Sequence, residues 1–193
     1  WYFPSGLPHS IQALEPGAEF LLVFDDGSFS ENSTFQVTDW LAHTPEEVVL
    51  QNFGMTKEQF KKLPEKEKYI FQKGIPGSLE CDKVQTEQGE VPNSFKYELL
   101  KQEPITSSGG QVWIADSTNF KASKTIASAL VKVDPGAIRE LHWHPNTDEW
   151  QYFISGKARM TVFASDGHAR TFNYQAGDVG YVPFAMGHYV ENT

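Results

Sequence analysis

Apolar and polar positions change rhythm twice along this chain. Residues 19–24, EFLLVF, form a short apolar run that predicts a buried strand. The polar, Gly/Ser/Asn-rich stretch DDGSFSENSTF (25–35) follows and predicts a loop. A helical rhythm then takes over. Thr44-Pro45-Glu46-Glu47 has the spacing of a capping box with Pro at the first helical position, and Val48, Val49, Leu50 and Phe53 supply an apolar face. Thr56-Lys57-Glu58-Gln59 repeats the cap pattern with Phe60 and Leu63 behind it, and Pro64 is expected to end that helix. Residues 72–95 are rich in Gly, Pro and charge, which predicts a linker or a long surface connection. From residue 96 the pattern is one of short alternating runs: FKYELL, QVWIAD, TIASALVKV, IRELHWH, WQYFISG, ARMTVFA, RTFNYQ, VGYVPF and HYVEN. Asp134-Pro135-Gly136, Ser165-Asp166-Gly167 and Ala176-Gly177-Asp178 punctuate them as turns. Many short strands with Gly-containing turns predict a mainly β fold, an antiparallel sandwich or barrel over 96–193.

Composition narrows the partners. The chain has 193 residues and a net charge of −9, which argues against nucleic acid or an anionic membrane as the main partner. A small anionic substrate stays compatible, because one local arginine or metal ion outweighs a distant field. Cys81 is the single cysteine, so an internal disulfide is impossible and a reducing compartment fits. No apolar run approaches transmembrane length. The opening WYFPSG reads as mid-strand and turn, and WYFPSGLPHSIQ (1–12) resembles GYVPFAMGHYVE (180–191), with Tyr2, Pro4 and His9 against Tyr181, Pro183 and His188. This repeat leads to the expectation of a longer parent with two copies of the strand domain.

The candidate chemistry lies in LHWHPNTDEW (141–150). His142 and His144 are two apart, so on a strand they project from one face with Trp143 on the other. Pro145-Asn146-Thr147-Asp148 reads as a turn that returns the next strand antiparallel and sets Glu149 beside the imidazoles. His188, on a later strand, is the natural fourth member. An isolated HxH pair is more often a surface or packing feature. Four candidates in strand context favour a divalent-metal site, and the ligand set suits manganese or iron without excluding zinc. His43 and His168 have no such context and read as surface.

At these residues the sequence resembles a family. Gly136-x5-His142-x-His144-x4-Glu149-x6-Gly156 matches the first cupin motif, and Gly177-x5-Pro183-x4-His188-x3-Asn192 the second. Ala185 stands where that family usually has Gly. Residues 137–192 look like the second barrel of the bacterial bicupin oxalate decarboxylases, and residues 1–35 like the end of their first barrel with its lid loop. The resemblance therefore implies a cupin fold (a double-stranded β-helix, or jelly-roll barrel) with a short helical segment. It also implies three parts: 1–35, a helical segment and linker over 36–95, and a second barrel over 96–193.

What the resemblance implies for function follows residue by residue. His142, His144, Glu149 and His188 match the manganese ligands of the second barrel. His9 matches the fourth ligand of the first barrel, whose other ligands would lie upstream. Arg139 matches the arginine that holds the oxalate carboxylate. Glu31, in Ser30-Glu31-Asn32-Ser33-Thr34, matches the lid proton donor. The implied reaction is oxalate plus a proton giving formate and carbon dioxide, with manganese and dioxygen as cofactors, in a cytoplasmic homo-oligomer of trimers or hexamers. Oxalate oxidase shares ligands and substrate and is the alternative enzyme; a non-catalytic metal-binding barrel is the alternative of another class. Residues 15–24 resemble what would follow Thr193, so they are expected to close the second barrel against VGYVPF and bring Glu31 over its metal.

Overall fold

The computed structural model describes residues 1–66, 68–72 and 74–193; positions 67 and 73, inside the expected helical and linker segment 36–95, lie outside the described residues. The chain forms two compact units, one of Trp1–Leu7 with Pro92–Thr193 and one of Pro8–Val91.

The larger unit is built from nine strands. β1 (Ile105–Ser107), β2 (Gly110–Ala115) and β3 (Ser128–Val133) make an antiparallel three-stranded sheet in that order. Next come β4 (Ile138–His142), β5 (Glu149–Tyr152), β6 (Lys157–Phe163), β7 (Ala169–Gln175), β8 (Val179–Val182) and β9 (Gly187–Asn192). Their pairing is nested: β4 with β9, β5 with β8, β6 with β7. Residues 138–192 are thus one long hairpin with its tip between β6 and β7, rolled so that its pairs fall in two sheets. One sheet has the order β4-β9-β6-β7 and the other is β5-β8. A rolled hairpin of this kind is a jelly roll.

Side-chain alternation sets which face is inside. On β6 Ala158 and Met160 are buried while Lys157 and Arg159 are exposed, and Met160 is 0% accessible. On β8 Gly180 and Val182 are buried while Val179 and Tyr181 are exposed. Period-two alternation of this kind is what a sheet with one covered face requires. Asp134-Pro135-Gly136 makes a tight turn into β4, with the Ala137 amide donating to the Asp134 carbonyl at 2.9 Å and Gly136 at φ 77°. Pro followed by a residue of positive φ is the type II turn signature. At the far end Asn192 Nδ2 donates to the Val133 carbonyl at 2.6 Å, tying β9 to β3.

The smaller unit carries α1 (Val37–Ala42), α2 (Glu46–Phe53), α3 (Lys57–Phe60) and α4 (Leu79–Asp82). The capping box at Thr56 is present in both directions: Gln59 N donates to Thr56 Oγ1 at 3.2 Å and Thr56 N to Gln59 Oε1 at 2.8 Å. The one at Thr44 is not; its hydroxyl donates back to the Trp40 carbonyl at 2.7 Å, and α2 starts without a side-chain cap. Of the expected apolar face only Val49 is buried, and Val48 and Phe53 are exposed. The α3 helix stops at Phe60, short of Pro64.

Other expectations are corrected here. Residues 19–24 are not a buried strand: they form no regular element and are exposed. An apolar run becomes a strand only when another strand satisfies its backbone, and periodicity does not reveal that partner. The same holds for residues 15–24 as a closing strand, because they adopt no β structure and β8 takes β5 as its ladder partner. FKYELL is a loop over 95–98 that enters a 3-10 turn at Leu99–Lys101, whereas Ile105–Ser107 is a strand that the pattern did not signal. The 1–12 and 180–191 repeat is one of sequence only: 180–191 contains β8 and β9, while 1–12 contains no strand.

Candidate metal centre

Four side chains from three parts of the roll converge. His142 ends β4, His144 lies just past it, Glu149 opens β5 and His188 is the second residue of β9. One ligating atom from each lies within 4.8 Å of every other. Glu149 Oε2 is the focus: it is 2.8 Å from His144 Nε2, 3.2 Å from His188 Nε2 and 4.0 Å from His142 Nε2. Side-chain exposure falls from 38% at His144 through 17% at His142 to 0% at His188, so the cluster opens on the His144 side.

The route by which these residues meet differs from the hairpin reading. β5 does not return beside β4; it pairs with β8 in the other sheet, and β4 pairs with β9. Glu149 therefore reaches the imidazoles across the roll. His142 and His188 are direct partners in the β4–β9 ladder. The loop between β4 and β5 is anchored from the opposite strand end, because Asp148 Oδ1 accepts from the Phe184 amide at 2.7 Å and the His144 carbonyl from the Ala185 amide at 2.6 Å. The hydrogen bond between Asp148 and Tyr181 also pushes the Tyr181 phenol above its ordinary pKa.

Tautomers are set by the backbone. His142 Nδ1 is 2.7 Å from the Glu140 carbonyl and His188 Nδ1 is 3.1 Å from the Met186 carbonyl. A carbonyl only accepts, so each Nδ1 carries the proton and each Nε2 lone pair is turned toward Glu149 Oε2. Lone pairs facing a carboxylate oxygen repel unless a cation lies among them. Backbone-oriented imidazoles with a carboxylate are also the arrangement in which metal ligands are usually held. Three nitrogens and one oxygen suit manganese, iron or zinc. Burial pushes the His142 imidazole below its ordinary pKa, and the positive charge of Arg139 adds to this. Burial pushes the Glu149 carboxyl up, but the Gln151 hydrogen bond and the His188 and His144 imidazoles overcome it, so the group sits below its ordinary value. Both shifts favour the metal-binding protonation states.

Arg139 is three positions before His142, which in a regular strand places the two on opposite faces. The ladder shifts register between them: Arg139 pairs with Val190 and His142 with His188, so three steps on β4 match two on β9. This bulge turns both side chains to one face. The Arg139 guanidinium is 3.9 Å from Glu140 and remains 38% exposed. Glu31 and His9 belong to the smaller unit. Glu31 begins the 3-10 turn Glu31–Ser33, is exposed, and its carboxylate is 3.4 Å from the Thr34 hydroxyl. His9 lies outside any regular element. His168 and His43 are exposed, paired with Asp166 at 2.6 Å and Asp39 at 3.2 Å. The residue that sequence reading missed is Gln151, whose Nε2 donates to Glu149 Oε1 at 2.5 Å. Its signal was available, since it stands two positions after Glu149 and so on the same face.

Similarity to known proteins follows these elements. The family model described as Cupin matches residues 1–61 and 97–193. The chain is 80% identical over 192 residues to oxalate decarboxylase OxdC of Bacillus subtilis (strain 168), covering 100% of this chain and 50% of that protein. It is 42% identical over 198 residues to a probable oxalate decarboxylase of Arthroderma benhamiae, covering 100% of this chain and 48% of that protein. Among solved structures, oxalate decarboxylase from Bacillus subtilis at pH 4.6 superposes with a TM-score of 0.95 at 80% identity, over 100% of this chain and 50% of that one. A second, a study of the Mn(II) centres of the Bacillus subtilis enzyme, gives a TM-score of 0.93 at 80% identity, over 98% of this chain and 50% of that one. The chain spans about half the length of the curated relatives it matches.

Proposed function

The chain belongs to the cupin family, and from that premise we propose that it takes part in manganese-dependent decarboxylation of oxalate to formate and carbon dioxide. The observation that carries the reading is the convergence of three imidazole nitrogens on one carboxylate oxygen, with two of the rings held by backbone carbonyls. The names and titles of the similar proteins supply the metal and the substrate class.

His142, His144, Glu149 and His188 would hold the manganese. Once bound, the metal supplies a positive charge for an oxalate oxygen and access to one-electron chemistry, with dioxygen as the family's co-reactant. Arg139 binds a substrate carboxylate, since a guanidinium matches it with two parallel hydrogen bonds. At the first-barrel site of a longer protein, Glu31 donates the proton that a one-carbon fragment needs at carbon after carbon dioxide leaves, and its loop excludes water during that transfer. Glu31 and His9 serve the first-barrel site of a longer protein, with the divisions 1–35, 36–95 and 96–193 as its parts. A cytoplasmic location and a trimeric or hexameric homo-oligomer belong to the same reading. Among the described residues no helix is long and apolar enough to cross a membrane.

The test is metal content per purified chain, followed by product analysis on oxalate. Bound manganese with formate and carbon dioxide is the expected result. Hydrogen peroxide in place of formate would reassign the chain to oxalate oxidation. Bound metal without turnover in the full-length protein would leave a non-catalytic barrel.

A further inference from the structure

Glu149 offers two oxygens, and the structure treats them differently. Oε2 faces the imidazoles at 2.8 to 4.0 Å, while Oε1 accepts from the Gln151 amide at 2.5 Å. Only the NH2 end of an amide can donate to a carboxylate, so this contact fixes which way Gln151 is turned. Its own Oε1 is thereby sent into the interior, where it is buried with no protein hydrogen-bond partner. Burying an acceptor in this way is unfavourable, and the other end of the amide must make up for it.

The opposite strand makes room for this arrangement. Gly180 is the ladder partner of Gln151 and is buried. A Cβ at position 180 would lie 3.0 Å from Gln151 Oε1 and 3.3 Å from Tyr174 Oη. The Gly180 backbone is not in the positive-φ region that favours glycine. A side chain at 180 would therefore press on the amide, which would have to shift by a few tenths of an ångström.

We propose that Gln151 is a positioning residue that holds Glu149 to one-oxygen ligation, engaging Oε1 so that Oε2 alone is presented to the metal. The inference rests on the manganese-site reading above and adds to it a residue outside the ligand set. Without the amide the carboxylate is free to rotate and to offer both oxygens or neither.

The experiment compares the full chain with its Gln151→Leu and Gly180→Ala variants. Manganese affinity is read by chelator competition, coordination by the Mn(II) EPR fine structure, and folding by the thermal midpoint of the metal-free proteins. Gln151→Leu should weaken manganese binding about 10–100-fold and alter the EPR fine structure, with the metal-free midpoint little changed. Gly180→Ala, which displaces the amide without removing it, should move affinity and spectrum in the same direction by less. If Gln151→Leu does not fold, Gly180→Ala decides by itself. A wild-type chain that binds manganese alongside folded variants of equal affinity and identical spectrum overturns this inference and leaves the metal site standing. A wild-type chain that takes up no manganese overturns both.

Discussion

Ala185 has φ 62°, in the left-handed region, where a Cβ crowds the backbone. Its amide holds the His144 carbonyl and its neighbour Met186 holds the His188 ring, so the strained turn supports two of the four converging side chains. The departure from glycine was visible in the sequence; its conformational consequence was not, because a dihedral angle is imposed by the surrounding turn. Ala185 is exposed, so losing its methyl costs little burial. Relief of the left-handed strain outweighs the extra freedom glycine gains on unfolding. Ala185→Gly should therefore stabilise the chain by about 0.5–1 kcal/mol, read as a higher urea midpoint at unchanged slope. At the same scale the converging histidines were legible from spacing alone, since i and i+2 share a face. Gln151 obeys that rule too, and its spacing from Glu149 already placed it on that face; what its spacing did not give is the bond to Glu149 Oε1.

Strands were more legible than their partners. The runs for β2 through β9 stand out by alternation and turn residues, yet nothing in them specifies that β5 crosses to β8 and not back to β4. The bulge that brings Arg139 to the His142 face is likewise a property of the β4–β9 ladder and of neither strand separately. The β1–β2 hairpin gives a prediction at this scale. Gly110 has φ 148°, and a Cβ there would lie 2.0 Å from the Lys132 carbonyl oxygen on β3. Gly110→Ala should cost about 2–5 kcal/mol, from strained backbone and overpacking, and lower the thermal midpoint accordingly. The connection after β2 gives a second. Asp116 Oδ1 accepts from the Thr118 hydroxyl at 2.5 Å and from its amide at 2.8 Å. The Thr118 hydroxyl first, and then its amide, hold the Asp116 carboxyl below its ordinary pKa of 3.8. A depressed carboxylate adds stability that is complete above the unfolded pKa and disappears as pH falls through the folded one. Asp116→Ala should leave less stability to lose below about pH 4, so the acid limb of its stability–pH profile should be shallower than that of the wild type.

For the whole molecule, the proposed manganese site couples to stability, because its donors come from β4 and the loop after it, β5 and β9, and unfolding separates them. Free manganese at 100 times its dissociation constant should raise the unfolding free energy by about 2.7 kcal/mol. Chelation should reverse this, and scanning calorimetry with and without chelator checks it. The sequence by itself determined that residues beyond 96 would be short strands of mainly β character, that His142, His144, Glu149 and His188 were the donors to watch, and that Thr56 would cap a helix. Those features are local, written in spacing, alternation and turn chemistry over a few residues. Only the tertiary structure decided that EFLLVF is not a strand, that Glu149 approaches from the opposite sheet, that a bulge brings Arg139 to the His142 face and that Gln151 donates to one carboxylate oxygen. Each of these depends on which distant backbone supplies the hydrogen-bond partner, and that choice is made when the roll closes, beyond the reach of any local pattern.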